Sequence, residues 1–418
     1  MEIYRVGGCI RDQLLGLSIK DIDYVVTATS VEEMLDLGYK PVGRDFPVFL
    51  HPDTKQEYAL ARSERKVSAG YAGFQFNTNI NITIEQDLAR RDLTINAIAE
   101  DSDGRIIDPY NGIADLNARI LRHVSPAFVE DPVRVLRLAR FAARFYALGF
   151  SIADETIELV KEMSHSGELD ALVAERVWTE MSRALEEKTP SQFFYTLQKG
   201  QALEKLFPEI YALFGVPQTA KYHPEIDTGI HVMLALDKSA ELELDSSTRF
   251  AVLMHDLGKA NTPVDILPSH HGHELRGVKK VKEFCLRWKA PNQFRQLALI
   301  TAQYHTQVHR AFELKASSLH DLLSATGALR QPDQFEKMLM ACVADVRGRT
   351  GFEQNPYPQA DYLRELNKTI RSSKVSSVIE SGKTGLQLGE AIRAFQINLI
   401  RNFDKSPFQA KQEIFSNQ

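Results

Sequence analysis

The strongest constraint on the fold lies near the N-terminus, in residues 6–26, VGGCIRDQLLGLSIKDIDYVV. Ile3–Val6 reads as a short strand, and Gly7-Gly8 permits a tight turn that no side chain obstructs. Arg11–Leu17 then predicts a short helix closed near Gly16, and a turn near Lys20 leads into a second strand, Asp21–Val26. Side chains alternate along a strand, so Asp21 and Asp23 share one face, and Ile22 and Tyr24 the other. Neighbouring carboxylates repel unless a cation lies between them, and oxygen-only ligands suit Mg²⁺. A glycine turn facing a helix N-terminus, with Arg11 close by, is a place for phosphate. Together these are the equipment of nucleotidyl transfer, where paired metals clamp the attacking and leaving oxygens. A lone D-x-D is more often a surface turn; the glycine turn upstream and the apolar strand running out of it reverse that reading.

GGCIRDQLLG followed by KDIDYVV resembles the signature of the polymerase-β-type nucleotidyltransferase superfamily. Within it the match is to the class II branch, which holds bacterial CCA-adding tRNA nucleotidyltransferases and poly(A) polymerases. The resemblance implies Mg²⁺ on Asp21 and Asp23, with Gly8 and Arg11 at the nucleotide.

Bulk properties bound the rest. At 418 residues the chain is too long for one ordinary core, so two to four domains are expected. No apolar run reaches membrane-spanning length. The N-terminus lacks the basic-then-apolar pattern of a secretory signal. Three widely spaced cysteines, Cys9, Cys285 and Cys342, point to reduced thiols and a cytoplasmic protein. A net charge of −5 does not advertise a nucleic-acid binder, though a local basic stripe can act against an acidic background.

After the D-x-D, Val31–Leu37 predicts a helix with Ser30 as N-cap and Glu33 completing a capping box. Pro47–His51 and Glu57–Arg62 read as strands. Glu57 is either a third catalytic carboxylate delivered by a neighbouring strand or an edge glutamate in water. Residues 63–82 read as a mobile loop suited to a lid or lever. Glu85–Ala99, EQDLARRDLTINAIA, predicts a helix. Its Arg90-Arg91-Asp92 and Asn96-Ala97 resemble the RRD-x-x-x-NA motif of the same family. Arginines suit triphosphate oxygens and an aspartate can accept from a ribose hydroxyl, so Arg91 and Asp92 are nucleotide-binding candidates. Asp108-Pro109 with Gly112 and Asp115-Leu116 reads as a structural turn and capped helix.

Beyond about residue 125 strand patterning ends. Asp131 is the expected N-cap and Pro132 the first-turn proline of a helix running to about Leu148. At 100° per residue Arg137, Arg140 and Arg144 fall within about a 60° arc, with Arg134 one step round and an apolar face opposite. An arginine stripe without acids on its own helix predicts anionic company. Glu130-Asp131-x-x-Arg134 resembles the family element that selects the incoming base. The resemblance makes Asp131 and Arg134 readers of the Watson–Crick edge of CTP or ATP, and Arg137 and Arg140 nucleotide or phosphate contacts. Glu175-Arg176 resembles a helix-bracing pair, and Phe193–Leu206 reads as a neck.

The C-terminal half carries another set. Eight of the twelve histidines lie between His223 and His309. His231, the adjacent His255-Asp256, and Asp345 resemble the HD phosphohydrolase pattern, with His305 and His273 as second-site or substrate groups and Lys259 placed for phosphate. His270, His271 and His309 read as ordinary imidazoles. Mixed imidazole and carboxylate ligands suit a divalent ion, Ni²⁺ or another transition metal, or Mg²⁺, for phosphoester hydrolysis. The tail predicts helices at Asp361–Ile370 and Gln387–Ile400, with Lys368, Arg371 and Lys374 as a basic patch.

The expected architecture is α+β: a small polymerase-β-like mixed-sheet head (1–125), a helical neck (126–220), an HD domain (221–345) and a helical tail (346–418). The resemblance implies CCA addition to tRNA from CTP and ATP, with HD phosphatase, 2′-nucleotidase and 2′,3′-cyclic phosphodiesterase activity, in a monomer or homodimer with no membrane partner. Poly(A) polymerase, or a regulatory HD phosphohydrolase with a nucleotide-sensing head, are the alternatives.

Overall fold

The computed structural model describes residues 1–19, 21–42, 48–66, 74–77, 80–220, 223–374 and 384–416. The chain divides into two compact units, Met1–Leu206 and Phe207–Gln418.

The first unit opens with β1 (Glu2–Val6), α1 (Gly8–Leu14), β2 (Asp23–Thr27), α2 (Val31–Asp36), β3 (Lys40–Val42), β4 (Val48–Leu50) and β5 (Glu57–Leu60). It continues with β6 (Ser63–Lys66), β7 (Phe74–Asn77), α3 (Ile84–Ala89), β8 (Ala99–Glu100), β9 (Ile106–Ile107) and α4 (Gly112–Ala118). Seven strands form one sheet in the order β3-β4-β5-β2-β1-β8-β9. Among the described residues of this sheet only the β2–β5 pair is parallel. Alternation along β2 serves two cores. Val25 is buried with Ile84 and Leu88 on one face. Val26 is buried with Met34, Phe49 and Leu60 on the other. Asp23 shares the parity of Val25, so it leaves the sheet on the α3 side.

Four local expectations change. The first helix begins at Gly8, three residues early, because Gly7 at φ +71° makes the turn alone. The second strand begins at Asp23, where pairing with Val6 starts, so Asp21 precedes the ladder. The capping box is half made: Ser30 Oγ accepts from Glu33 N–H at 3.2 Å, but the Glu33 carboxylate takes the Thr29 hydroxyl at 2.7 Å. The helix expected over 85–99 stops at Ala89. Thr94 is pulled away by Arg122 O, which accepts its N–H at 2.9 Å, and by Asp115, which accepts its hydroxyl at 2.7 Å. Ala99–Glu100 then joins the sheet. Tertiary partners override helical propensity here.

The stretch 63–82, read as a loop, contains the antiparallel ribbon β6–β7. Parts of that stretch, and Pro47 of the expected strand 47–51, lie outside the described residues.

The rest of this unit is helical apart from a two-residue parallel pair, β10 (Ile120–Leu121) with β11 (Ser151–Ile152). Its helices are α5 (Val133–Phe145), α6 (Asp154–His165), α7 (Ala174–Leu185), α8 (Ser191–Lys199) and α9 (Leu203–Leu206). Helix α5 starts one residue later than expected, so Pro132 and not Asp131 holds the N-cap position; Asp131, one residue earlier, accepts from Val133 N–H through Oδ1 at 3.1 Å. The helix is buried nearly all round, because α7 and α8 cover it.

In the second unit the described elements are helices α10 (Pro208–Tyr211), α11 (Thr228–Glu241), α12 (Ser246–Met254), α13 (His273–Arg287), α14 (Asn292–His309), α15 (Ala316–Ala325), α16 (Pro332–Arg347), α17 (Pro358–Ser372), α18 (Gly385–Asn402) and α19 (Ser406–Ser416), with short 3₁₀ turns. Side-chain caps set the helices that matter. Asp227 accepts from Ile230 N–H at 2.9 Å and starts α11, which carries His231. Asp245 accepts from Thr248 N–H at 2.9 Å and starts α12, which runs into His255-Asp256. Helices α14 to α18 share a core around Phe335, Leu339, Leu363 and Ile400. Among the described residues no helix is long and apolar enough to cross a membrane.

Candidate functional site

In the first unit the end of β1, the segment after α3, and α5 enclose a cleft of about 500 Å³. Nine arginines (11, 62, 90, 91, 134, 137, 140, 144 and 176) line it against three aspartates, Asp23, Asp92 and Asp131. Gly7 and Gly8 form one wall. A Cβ on Gly7 would stand 2.7 Å from Arg91 Nη1, so the bare backbone is what lets that guanidinium approach.

The arginine stripe is not a solvated face. Its anionic company comes from other elements of the same unit. Arg137 donates to Asp92 Oδ2 at 2.7 Å, Arg140 to Glu180 Oε2 at 2.6 Å, and Arg144 to Asp12 Oδ2 at 3.0 Å. Asp12 also accepts from Arg11 Nε at 2.8 Å. Arg11 is buried over the rings of Phe141 and Phe145, and another of its nitrogens donates to Asn96 Oδ1. Burial pulls its pKa down while Asp12 opposes the fall.

Asp92 is buried with every oxygen engaged: Oδ1 by Leu93 N–H and Asn96 Nδ2, Oδ2 by Arg137. Burial works against its charge, but Arg137 and Asn96 hold it well below the usual carboxylate range. Asp87, also fully buried, pairs with Arg90 and Arg91 and fixes where both point. The guanidinium of Arg134, 6 % exposed, is held by the carbonyls of Ala127 and Arg90. Asp131 is gripped by Arg176 at 3.1 and 2.8 Å, so Arg176 braces Asp131, which lies outside its own helix.

Asp21, Asp23 and Glu57 are all exposed. Asp23 lines the cleft; Asp21 and Glu57 are absent from its wall. Tyr24 pairs with Tyr58 in the parallel register, so Asp23 and Glu57 hold equivalent positions at the starts of adjacent strands. Among the described residues the three do not form a group with all ligand atoms within 4.8 Å.

The second unit presents a near-even balance, three cationic side chains against four carboxylates with histidines among them, around a cavity of about 570 Å³. His231 Nε2 lies 3.0 Å from Asp345 Oδ1. His255 Nε2 lies 3.1 Å from Asp256 Oδ2 and 3.9 Å from Asp345 Oδ2. His305 Nε2 lies 3.6 Å from Asp256 Oδ1. All five are buried, and three groups of candidate ligands have their atoms within 4.8 Å: His223-Glu225-His231, His231-His255-Asp345 and Asp256-His273-His305. Gly258 makes this possible. A Cβ there would lie 1.9 Å from His273 O, so only a glycine lets the turn after Asp256 rest on the start of α13.

Burial opposes the charges of Asp256 and Asp345, yet both stay well below the usual carboxylate range. His255 and Lys259 hold Asp256; Arg349, His309 and His255 hold Asp345. Burial also opposes charge on His255, but the same two carboxylates raise it. Burial pushes His273 and His309 down to about 4, leaving neutral rings that suit metal ligation. Lys259 stands 2.7 Å from Asp256 Oδ2 and donates to Gln218.

Sequence reasoning missed Glu225, whose Oε1 lies 2.8 Å from His231 Nδ1, and Arg349, 3.2 Å from Asp345. It also set aside His309, whose Nε2 lies 2.7 Å from Asp345 Oδ2. The spacing H-P-E ahead of His231 was the available signal for Glu225. In the first unit it missed Asp12 and Glu180; the doubling of Arg-Asp at 11–12 and 91–92 was the signal for Asp12.

Comparisons agree with this division of labour. Residues 3–122 match the family described as Poly A polymerase head domain. Residues 149–213 match Probable RNA and SrmB- binding site of polymerase A, and residues 228–346 match HD domain. Fold and site thus define a polymerase-type head followed by an HD domain. The Multifunctional CCA protein of Thioalkalivibrio sulfidiphilus is 55% identical over 401 residues, 96% of this chain and 98% of that protein. Those of Teredinibacter turnerae and Hahella chejuensis are each 53% identical, over 96% and 99% of this chain and 98% of each relative. The chain belongs to the multifunctional CCA protein family. Among solved structures, a CCA-adding enzyme in apo form II aligns over 100% of this chain and 92% of its own, with a TM-score of 0.66 and 20% identity. The Thermotoga maritima CCA-adding enzyme complexed with tRNA aligns over 99% and 91%, with a TM-score of 0.64 and 21% identity. At these identities the likeness is one of fold.

Proposed function

We propose that this chain adds C, C and A in turn to tRNA 3′ ends from CTP and ATP without a nucleic-acid template. Its HD unit hydrolyses phosphoesters as a phosphatase, 2′-nucleotidase and 2′,3′-cyclic phosphodiesterase. The observation that carries the reading is the cleft itself: nine arginines and a glycine wall at the edge of the strand that delivers Asp23. Such a surplus of fixed cationic donors suits a polyphosphate.

Asp21 and Asp23 offer exposed, oxygen-only ligands that fit Mg²⁺, with Glu57 on the neighbouring strand as a third carboxylate. When bound, that ion neutralises charge on the triphosphate. Gly8, Arg11 and Arg91 stand where phosphates would enter, Asp92 where a ribose hydroxyl would. Asp131 and Arg134 read the base edge. Arg134 is held in plane by two carbonyls, and a carboxylate has acceptor sites to spare beyond its Arg176 contacts. Arg137 and Arg140 exchange their carboxylate partners for nucleotide as it arrives.

In the second unit His231, His255, Asp256, His305 and Asp345 fit a divalent transition ion, Ni²⁺ among them, because their donors are buried imidazoles and carboxylates. That ion supplies Lewis-acid polarisation of a phosphoester. Lys259 and Arg349 orient the substrate's free phosphate oxygens. The protein works in the cytoplasm as a monomer or homodimer.

The test supplies labelled CTP and ATP with a tRNA lacking its 3′ end and reads product length. The expected product is longer by CCA alone. Asp21→Ala with Asp23→Ala should drop extension to background and spare phosphoester hydrolysis; His255→Ala should do the reverse. A long run of A would make this a poly(A) polymerase. No extension at all would leave a regulatory HD phosphohydrolase with a nucleotide-sensing head.

A further inference from the structure

Toward its C-terminal helices the second unit holds a further cavity, of about 410 Å³, that neither proposed activity uses. We infer that it binds a phosphate monoester carried on a flat ring system, the chemical class of the nucleoside monophosphates. The site is separate from both activities proposed above and depends on neither.

The start of α15, Tyr362 of α17 and the end of α18 enclose the cavity. Three cations line it, Lys315, Arg401 and Lys405, and among the described residues no carboxylate does. Solvated basic faces normally carry acids among the bases. Here neither Lys315 nor Arg401 is paired with an acid among the described residues. Lys405 gives one N–H to Phe312 O at 2.7 Å and keeps two. Helix α15 adds to this charge. Its N-cap is Lys315, no side chain caps it, and its first turn holds no acid. Leu319 N–H reaches Lys315 O at 2.9 Å, which leaves the three amides before it for an outside acceptor at the positive end of the helix.

A buried group points to the rest of the ligand. Tyr362 is 2 % exposed and lines the cavity. Its ring packs on Phe312, Phe403 and Phe408, with centroids 5.2, 5.9 and 5.8 Å away. Its hydroxyl has no hydrogen-bond partner among the described residues, and burial pushes its pKa up unopposed. A phenol so deep normally finds a partner, and leaving it unmet is costly. Leu319, Ile397 and Phe403 supply apolar wall beside it. An apolar slot with one hydroxyl at its side suits a flat ring with a polar edge. A phosphate monoester carries about 1.5–2 negative charges at neutral pH, which two unpaired cations and a helix N-terminus match. The nine-arginine cleft of the first unit is scaled to a polyphosphate instead.

The probe is 8-azido-AMP, irradiated on the full chain, with labelled peptides identified by mass spectrometry so that this cavity is told apart from the cleft of the first unit. Peptides covering 314–319 and 397–405 should be labelled, and AMP should compete far better than inorganic phosphate. Lys315→Gln with Arg401→Gln removes two charged hydrogen bonds and should cut that labelling at least about tenfold, with labelling of the first unit unchanged. Tyr362→Phe should weaken competition by AMP about two- to tenfold and leave the melting temperature no lower than wild type, since it deletes a hydroxyl that nothing meets. A lower melting temperature with unchanged competition would overturn the role of that hydroxyl. No label in these peptides, or label that survives the double variant, would overturn the site. Equal competition by phosphate would overturn the ring-bearing ligand. Competition by tRNA but not by AMP would overturn the small ligand and make the surface an RNA contact. Circular dichroism checks that each variant folds, and Arg401→Gln alone replaces a double variant that does not.

Discussion

The two cavities differ in charge balance. The cleft of the first unit has nine arginines against three aspartates, and the metal-binding candidates of that unit are exposed, at or just ahead of the starts of two adjacent inner strands. In the second unit Asp256 and Asp345 are buried among imidazoles whose ligand atoms already lie within 4.8 Å of one another. One site is built to receive an anion that brings its own cation; the other is built to receive a cation first. Both suit phosphoryl chemistry, because charge on a transferring phosphoryl group can be met by fixed guanidinium groups or by metal. The difference also separates how each fails. Disturbing the second site should appear as lost metal, disturbing the first as lost discrimination.

Glu225→Gln tests the first half of that statement and should have the largest effect. Glu225 Oε1 stands 2.8 Å from His231 Nδ1 and so steadies the ring whose Nε2 faces Asp345. Losing such an outer partner typically costs 10–100-fold in metal affinity, about. Mn²⁺ titration should show that drop in the second unit with nucleotide incorporation unchanged. An unaltered affinity would make Glu225 a passive neighbour.

Arg176→Ala tests the second half. With Arg176 gone, Asp131 loses two charged hydrogen bonds and its fixed orientation. Such bonds contribute about 1.5–3 kcal/mol, so preference between CTP and ATP should fall roughly tenfold or more, with tRNA affinity little changed. If affinity falls instead and preference holds, the pair binds RNA and does not read the base.

The smallest effect belongs to Asp245, which caps α12 and pairs with Lys337 of α16 at 2.8 Å, joining the helices that carry His255 and Asp345. Asp245→Ala should cost the second unit about 1 kcal/mol in chemical denaturation at neutral pH. Burial opposes its charge, but the Lys337 and Ser247 hydrogen bonds win and push its pKa down to about 2. A depressed carboxylate stabilises above its unfolded value and loses that contribution as pH falls through its folded one. The gap between wild type and variant should therefore be full at neutral pH and shrink between about pH 4 and 2.

The second site was the more legible in sequence, although its chemistry is the more buried. An adjacent His-Asp and a run of histidines are rare enough to stand out. What could not be read was partnership over distance. Nothing along α5 says that Arg137, Arg140 and Arg144 close on Asp92, Glu180 and Asp12, because those acids arrive from three other elements. The break after Ala89 was hidden for the same reason: the residues that capture Thr94 lie more than twenty positions later. The β6–β7 ribbon did leave a trace, the alternation Phe-Gln-Phe-Asn at 74–77, which the glycine and serine around it masked.

The register of β2 has one more consequence. Asp23 sits on the innermost ladder of the sheet, opposite Val6, while Asp21 lies two residues ahead of any pairing. The first carboxylate is therefore placed by the ladder, and the second stands two residues outside it. On the proposed reading an ion would meet one ligand set by the ladder and one set only by the chain ahead of it, two kinds of support for a single pair of carboxylates.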